Sequence, residues 1–192
     1  MATAADVFSR VLEAFDSLGI AYLVGGSVAS SIHGISRPTM DVDIVADLAP
    51  RQIEPLVRAL GPAFYADAEM MLQALGRGRP FHLIHIPSTF KIDVFPLGRD
   101  EFSQKAFSRR RVEESHSFGP QPVSCSVGTA EDTLLRKLEW YRAGGEVSER
   151  QWNDLRGIVR VRGQNLDLEY LRQWSLRLGV SDLLERLLAE KV

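Results

Sequence analysis

Apolar positions recur along this chain with two different periods. Ala5, Val7, Phe8, Val11, Leu12 and Phe15 repeat at helical spacing with Asp6, Arg10 and Glu13 between them, which predicts a helix from about Ala4 to Leu18, stopped at Gly19. A buried strand over Ile20 to Val24 follows, then a short helix from Ser27 to about His33 that ends at Gly34. Met40 to Ala46 alternates polar and apolar residues, the two-residue period of a half-buried strand. Pro50 to Leu60 returns to helical spacing through Ile53, Leu56, Val57 and Leu60, with Gly61-Pro62 ending it. The stretch 63–80 is ambiguous, with a short helix over Asp67 to Leu75 and a loop at Gly76 to Pro80 as one reading. Phe81 to Ile86 and Phe90 to Phe95 read as a hairpin around Pro87-Ser88. Glu101 to Arg111 reads as partly helical, with short strands near Val112 and over Val123 to Val127.

After Gly128 the strand pattern gives way to helices alone. Thr129-Ala130-Glu131-Asp132 has the form of a helix cap with acidic residues in the first turn. Helices are expected at about Ala130 to Arg142, Ser148 to Val161, Asp167 to Leu178 and Ser181 to Glu190, with Ser148 and Gln151 at capping-box spacing. The pattern predicts an α+β fold. A core over 1–128 holds a small mixed β-sheet flanked by helices, and a helical C-terminal region over 129–192 packs on it. No flexible linker separates the two.

Composition narrows this picture only slightly. The chain has 192 residues and a formal net charge of −2, which argues against a dedicated, strongly basic nucleic-acid binder but leaves room for a local basic patch. Its single cysteine, Cys125, has no internal disulfide partner and fits a reducing, cytoplasmic setting. No apolar run approaches membrane-spanning length, so no membrane association is expected.

The candidate chemistry lies between the second and fourth predicted elements. Leu23-Val24-Gly25-Gly26-Ser27 is an apolar strand ending in a glycine turn, and Thr39-Met40-Asp41-Val42-Asp43-Ile44 follows. Alternation along a strand puts Asp41 and Asp43 on one face and Val42 and Ile44 on the other. Carboxylates held that close repel one another unless a cation lies between them, and oxygen-only ligands suit Mg²⁺. Glycines let backbone approach a ligand, and the N–H groups opening a helix favour an anion. Phosphate cradle and metal carboxylates together read as a nucleoside triphosphate site.

Gly26-Ser27, then Asp-apolar-Asp-apolar at this spacing, resembles the signature of the DNA polymerase β-type nucleotidyltransferase superfamily. The resemblance implies a third carboxylate on a later strand, and Asp93 in Lys91-Ile92-Asp93-Val94-Phe95 is the candidate, on one face with Lys91 and Phe95. It implies two Mg²⁺ ions, with Mn²⁺ a possible substitute; Asp41 and Asp43 would bind both and Asp93 one. Nucleoside monophosphate would then pass from a triphosphate such as ATP to an acceptor hydroxyl, releasing pyrophosphate. Gly25, Gly26 and Ser27 would hold the phosphates, with Ser27 also a candidate N-cap. Lys137, in Glu131-Asp132-Thr133-Leu134-Leu135-Arg136-Lys137-Leu138, resembles a phosphate-holding helix lysine of the stand-alone AbiEii-like group, and Asp154 resembles the aspartate of that group's next helix. Asn153 stands where many members carry Arg or Lys.

Several residues keep two readings. Arg37 is either a triphosphate contact or a surface arginine, and Asp93 either a site residue or a surface partner of Lys91. Lys137 either holds phosphate or pairs with Glu131, Asp132 or Glu139. Arg109-Arg110-Arg111 is a solvated face or a contact to a polynucleotide backbone. His33 reads as a helix-end residue, and His82 and His85 fall on opposite strand faces, which excludes a joint metal site. For the acceptor, a tRNA or other RNA end is preferred over a protein or a small molecule such as an antibiotic. A non-catalytic nucleotide-binding role and a toxin silenced by an antitoxin partner are the other readings.

Overall fold

In the computed structural model, which describes residues 2–37, 39 and 41–190, one mixed sheet of seven strands runs through the N-terminal two thirds of the chain. The elements are α1 (Ala4–Ser17), β1 (Ala21–Val24), α2 (Gly26–His33), β2 (Asp41–Asp47), α3 (Ile53–Leu60), β3 (Phe64–Tyr65), α4 (Ala68–Gly76), β4 (Phe81–His85), β5 (Phe90–Pro96), α5 (Glu101–Ser108), β6 (Arg111–Ser115) and β7 (Val123–Val127). Four helices follow: α6 (Ala130–Ala143), α7 (Glu149–Arg162), α8 (Leu168–Arg177) and α9 (Ser181–Ala189). The expected α+β class, mixed sheet and helical C-terminal region are all present. Pro50–Gln52 is a 3₁₀ turn before α3 rather than the start of one continuous helix. The ambiguous stretch holds both β3, too short to signal itself by alternation, and α4, capped by Asp67. Met40, the expected first residue of the carboxylate strand, lies outside the described residues.

The strand order is β3-β4-β5-β2-β1-β7-β6. β2 runs parallel to β5 and antiparallel to β1, and β4 is antiparallel to β5. Val42, Ile44 and Ala46 of β2 and Ile92 and Val94 of β5 are fully buried on one face. There α1 supplies Phe8, Val11 and Phe15, and α3 supplies Ile53, Leu56 and Leu60. Each such side chain contributes about 1.5–3 kcal/mol on burial. A one-residue slip of either strand would turn that set to solvent, so the core itself enforces the register. The same alternation puts Asp41, Asp43, Lys91 and Asp93 on the opposite face.

A second apolar cluster joins α6 to α9, with Leu134, Leu138, Trp152, Leu155, Trp174 and Leu184 at its centre. Phe102 of α5 packs in this cluster, not in the core beneath the sheet. The contact between α2 and α7 is made by backbone. A β-carbon at Gly34 would come within 2.7 Å of Ile158 N and 2.8 Å of the Gly157 carbonyl carbon. The helix termini carry their expected caps: Thr129 accepts from the Asp132 amide and Ser148 from the Gln151 amide. Only this serine half of the expected box at Ser148 is made among the described residues.

Candidate active site

The side of β2 and β5 turned away from the core, the start of α2 and one face of α6 enclose a cleft of about 540 Å³. Its floor follows from strand register. Asp43 and Asp93 are direct neighbours on the parallel strands, and Asp41 is paired with Lys91 one step back. The three carboxylates proposed from sequence are thus brought to one patch by a pairing between residues 50 apart in the chain, as the register Asp43↔Asp93 shows.

The glycine turn meets this patch from the side. Gly25 donates its N–H to the Asp43 carbonyl at 2.8 Å. Gly26 has φ +56°, and a β-carbon there would fall on Asp43 Oδ2. Both the left-handed backbone and the lack of a side chain are therefore required at Gly26. Because α2 begins at Gly26, its N-cap is Gly25, which offers no side-chain cap. The capping role considered for Ser27 is not made. Its hydroxyl instead meets Thr39 Oγ1 at 2.8 Å, and Thr39 Oγ1 lies 2.9 Å from Asp41 Oδ1.

Burial, then the charges of Asp93 and Asp41, pushes the Asp43 carboxyl up to about 6, against the smaller opposing pull of Lys137 and Lys91. An aspartate that resists ionisation beside two others marks an unbalanced negative charge. A hard divalent cation suits these oxygen donors, with Asp41 and Asp43 best disposed to receive it. Asp93 has competing partners. Lys91 Nζ bonds its Oδ2 at 2.7 Å, and His82 Nδ1 meets its Oδ1. The surface pairing with Lys91 and the place in the carboxylate patch thus coexist. Among the described residues no three acidic, histidine or cysteine groups converge closely enough to enclose an ion by themselves. Lys91 and His82 must yield before Asp93 joins a metal site.

The opposite wall is cationic. Arg37 Nε and Nη2 donate to the two Asp154 oxygens at 2.8 and 2.9 Å, and Lys137 Nζ donates to Oδ2 at 2.8 Å. Lys137 therefore pairs with none of Glu131, Asp132 or Glu139, and Arg37 is not a loose surface side chain. The Asp154 side chain is 7 % exposed and that of Lys137 12 %. Burial works to raise the Asp154 carboxyl, but the hydrogen bonds and charges of Arg37 and Lys137 together hold it below the ordinary value. The Gly34–Gly157 contact makes this trio possible, since it draws α7 against the end of α2.

Other sequence candidates lie elsewhere. His33 ends α2 as expected, with Nε2 at 2.6 Å from the Gly128 carbonyl, and burial lowers its pKa. Arg109 bonds buried Asp132 at 3.0 Å and lies over the Tyr170 ring, so it is built into the helical region. Burial pushes the Cys125 thiol up to about 12, and it lies away from the cleft. His82 and His85 do take opposite faces, one exposed and one buried. The reading missed the place of His82 opposite Asp93, although a hairpin centred on Pro87-Ser88 pairs those two positions. It also missed the cleft-lining Arg136, Trp140 and Arg150. Trp140 lies three residues after Lys137 and four after Arg136 on α6, and that helical spacing was the available signal.

The chain shares its fold with three solved structures. The antibiotic-resistance factor ANT(2'')-Ia has this fold: its solution structure covers 95 % of this chain and 95 % of its own at 16 % identity, with a TM-score of 0.53. The crystal structure of ANT(2'')-Ia with adenylyl-2''-tobramycin covers 88 % of this chain and 95 % of its own at 13 % identity, TM-score 0.52. An antigenic nucleotidyltransferase-like protein from Paracoccidioides brasiliensis covers 98 % of this chain and 94 % of its own at 17 % identity, TM-score 0.53. At these identities the likeness establishes a shared fold. No protein-family model and no curated protein matches the chain.

Proposed function

We propose that the chain is a nucleotidyltransferase that moves a nucleoside monophosphate from a nucleoside triphosphate to a hydroxyl at the end of an RNA, as a stand-alone enzyme of the AbiEii-like kind. The observation that carries this reading is the in-register pairing of Asp43 with Asp93, with Asp41 on the same face and the Gly26 turn packed directly against Asp43 at the cleft. Ser27 and the free N–H groups opening α2 hold the terminal phosphates. Arg37 and Lys137, held in place by Asp154, face the same charge. Asp93 takes the proton of the acceptor hydroxyl on a carboxylate oxygen as the hydroxyl oxygen bonds to the α-phosphorus. The bond from the α-phosphorus to the bridging oxygen breaks, and pyrophosphate leaves with that electron pair. Asp41, Asp43 and, once Lys91 and His82 give way, Asp93 would hold magnesium, which would supply positive charge to the reacting oxygens and lower the pKa of the acceptor hydroxyl. Positioning and electrostatics are the protein's share of the catalysis.

The cleft's charge bears on the acceptor. Arg37, Arg136, Lys137 and Arg150 line its helical side, where the acids Asp132 and Asp154 are already bonded to arginine, tyrosine or lysine, while Asp41 and Asp43 lie on the sheet side. Such a wall favours an anionic acceptor over a polycationic one. The fold shared with ANT(2'')-Ia supports the second reading, a small antibiotic acceptor. Incubation with each of the four α-³²P-labelled triphosphates and Mg²⁺, in the presence of total RNA, cell protein or an aminoglycoside mixture, separates these. We expect label in RNA and none with the Asp41→Ala/Asp43→Ala double variant. Label in the aminoglycosides alone would replace the acceptor, and no label in any pool would overturn the reaction.

A further inference from the structure

Trp140 differs from the other two tryptophans in a way that the fold does not require. Trp152 and Trp174 are buried at 4 % and 6 % exposure, whereas Trp140 is 47 % exposed and lines the cleft. Leaving so large an apolar ring in water forfeits burial that its neighbours obtain. Phe95, on the cleft face of β5 two residues beyond Asp93, meets the Trp140 ring in a T-shaped contact with centroids 5.7 Å apart. Such a contact covers at most one face of the indole and fixes the ring against swinging away. The two rings form an aromatic corner lining the cleft, two residues along β5 from Asp93.

We propose that Trp140, braced by Phe95, is the stacking surface for the base of the nucleoside triphosphate. The inference rests on the nucleotidyl-transfer reading and assigns its nucleoside subsite. Trp140 lies three residues after Lys137 on one face of α6, so the two side chains start about 5–6 Å apart. Lys137 belongs to the cationic pair at the phosphate end, and a base tethered to those phosphates through its sugar reaches the next turn of the same helix. The acceptor belongs on the other flank, because Asp93 turns its oxygens to Lys91 and to His82 of β4, the strand beyond β5. A ring platform without a hydrogen-bonding pattern reads the flat face of a base and accepts all four, with strength following stacking area.

Binding of ATP, GTP, CTP and UTP in turn, and of inorganic tripolyphosphate, each with Mg²⁺, tests this by intrinsic fluorescence and calorimetry. Subtracting the Trp140→Phe signal isolates the emission of Trp140. The nucleotides should quench that emission and tripolyphosphate should not. Trp140→Ala should weaken nucleotide binding about tenfold or more, while tripolyphosphate affinity stays within about twofold. Trp140→Phe should recover most of the loss. Unchanged nucleotide affinity in Trp140→Ala overturns the subsite alone. Equal weakening of nucleotide and tripolyphosphate also overturns it, since Trp140 would then only support α6. Wild-type protein that binds no nucleotide overturns the transferase reading together with the subsite.

Discussion

Asp43 and Asp154 line the same cleft from opposite walls, and their surroundings drive their carboxyls in opposite directions. Asp43, on the sheet, sits between two other aspartates and is pushed up to about 6. Asp154, on α7, receives three hydrogen bonds from Arg37 and Lys137 and is lowered. Burial opposes ionisation at both, so burial does not explain the contrast. The charges beside each one do. Asp154 is a completed anion whose work is to hold two cations still. Asp43 is an incomplete one, with two neighbouring carboxylates and only the weaker pull of Lys137 and Lys91 to offset them.

The largest effect should come from the incomplete side. Asp43→Asn removes a charge that any bound cation and triphosphate would need, and turnover should fall by about 10²–10³-fold or more in the labelling assay. Retention of wild-type turnover would end the contrast. Next in size is Asp154→Asn, which leaves Arg37 and Lys137 facing each other without their shared anion. Loss of one partner of a fully buried pair costs about 3–5 kcal/mol. With the Arg37 side chain 25 % exposed, a loss of about 2–3 kcal/mol is expected, or about 4–12 °C in Tm for a chain of this size. An unchanged melting curve would mean that the trio is not structural.

The smallest effect sharpens the comparison most. The native state holds the Asp43 proton more tightly than the unfolded chain does, since its carboxyl moves from near 3.8 to about 6. The folded protein therefore binds extra proton between those values, and this group adds stability as pH falls through that window. Metal-free protein should show this contribution when melted from pH 7 down to pH 4. Asp43→Asn should melt higher than wild type at pH 7 and lack that part of the pH dependence. Lower stability of the variant at pH 7 would show that Asp43 already has a partner.

The sequence made the sheet wall far more readable than the helical one, for a physical reason. Period-two alternation fixes which way Asp41, Asp43 and Asp93 point, and a glycine turn beside them marks backbone that must come close to something. These signals are local. The Arg37–Asp154 pair joins residues 117 positions apart, through a contact between two glycines that no periodicity announces. His82 stayed hidden because its role depends on hairpin register, and Ser27 lost its capping role because the helix opens one residue earlier, on a glycine at positive φ. Phe102 was placed by tertiary packing with the C-terminal helices, which a pattern confined to α5 does not reveal.

The close approach of Gly26 to Asp43 also has a hereditary consequence. The space that a β-carbon would need at position 26 is taken by the carboxylate oxygen of position 43, so the two positions constrain each other. A descendant that keeps the aspartate cannot change the glycine without disturbing it. One that first shortens the aspartate clears that space. Even then φ +56° at position 26 still favours glycine, so the side chains best able to follow the loss of the acid are asparagine and aspartate.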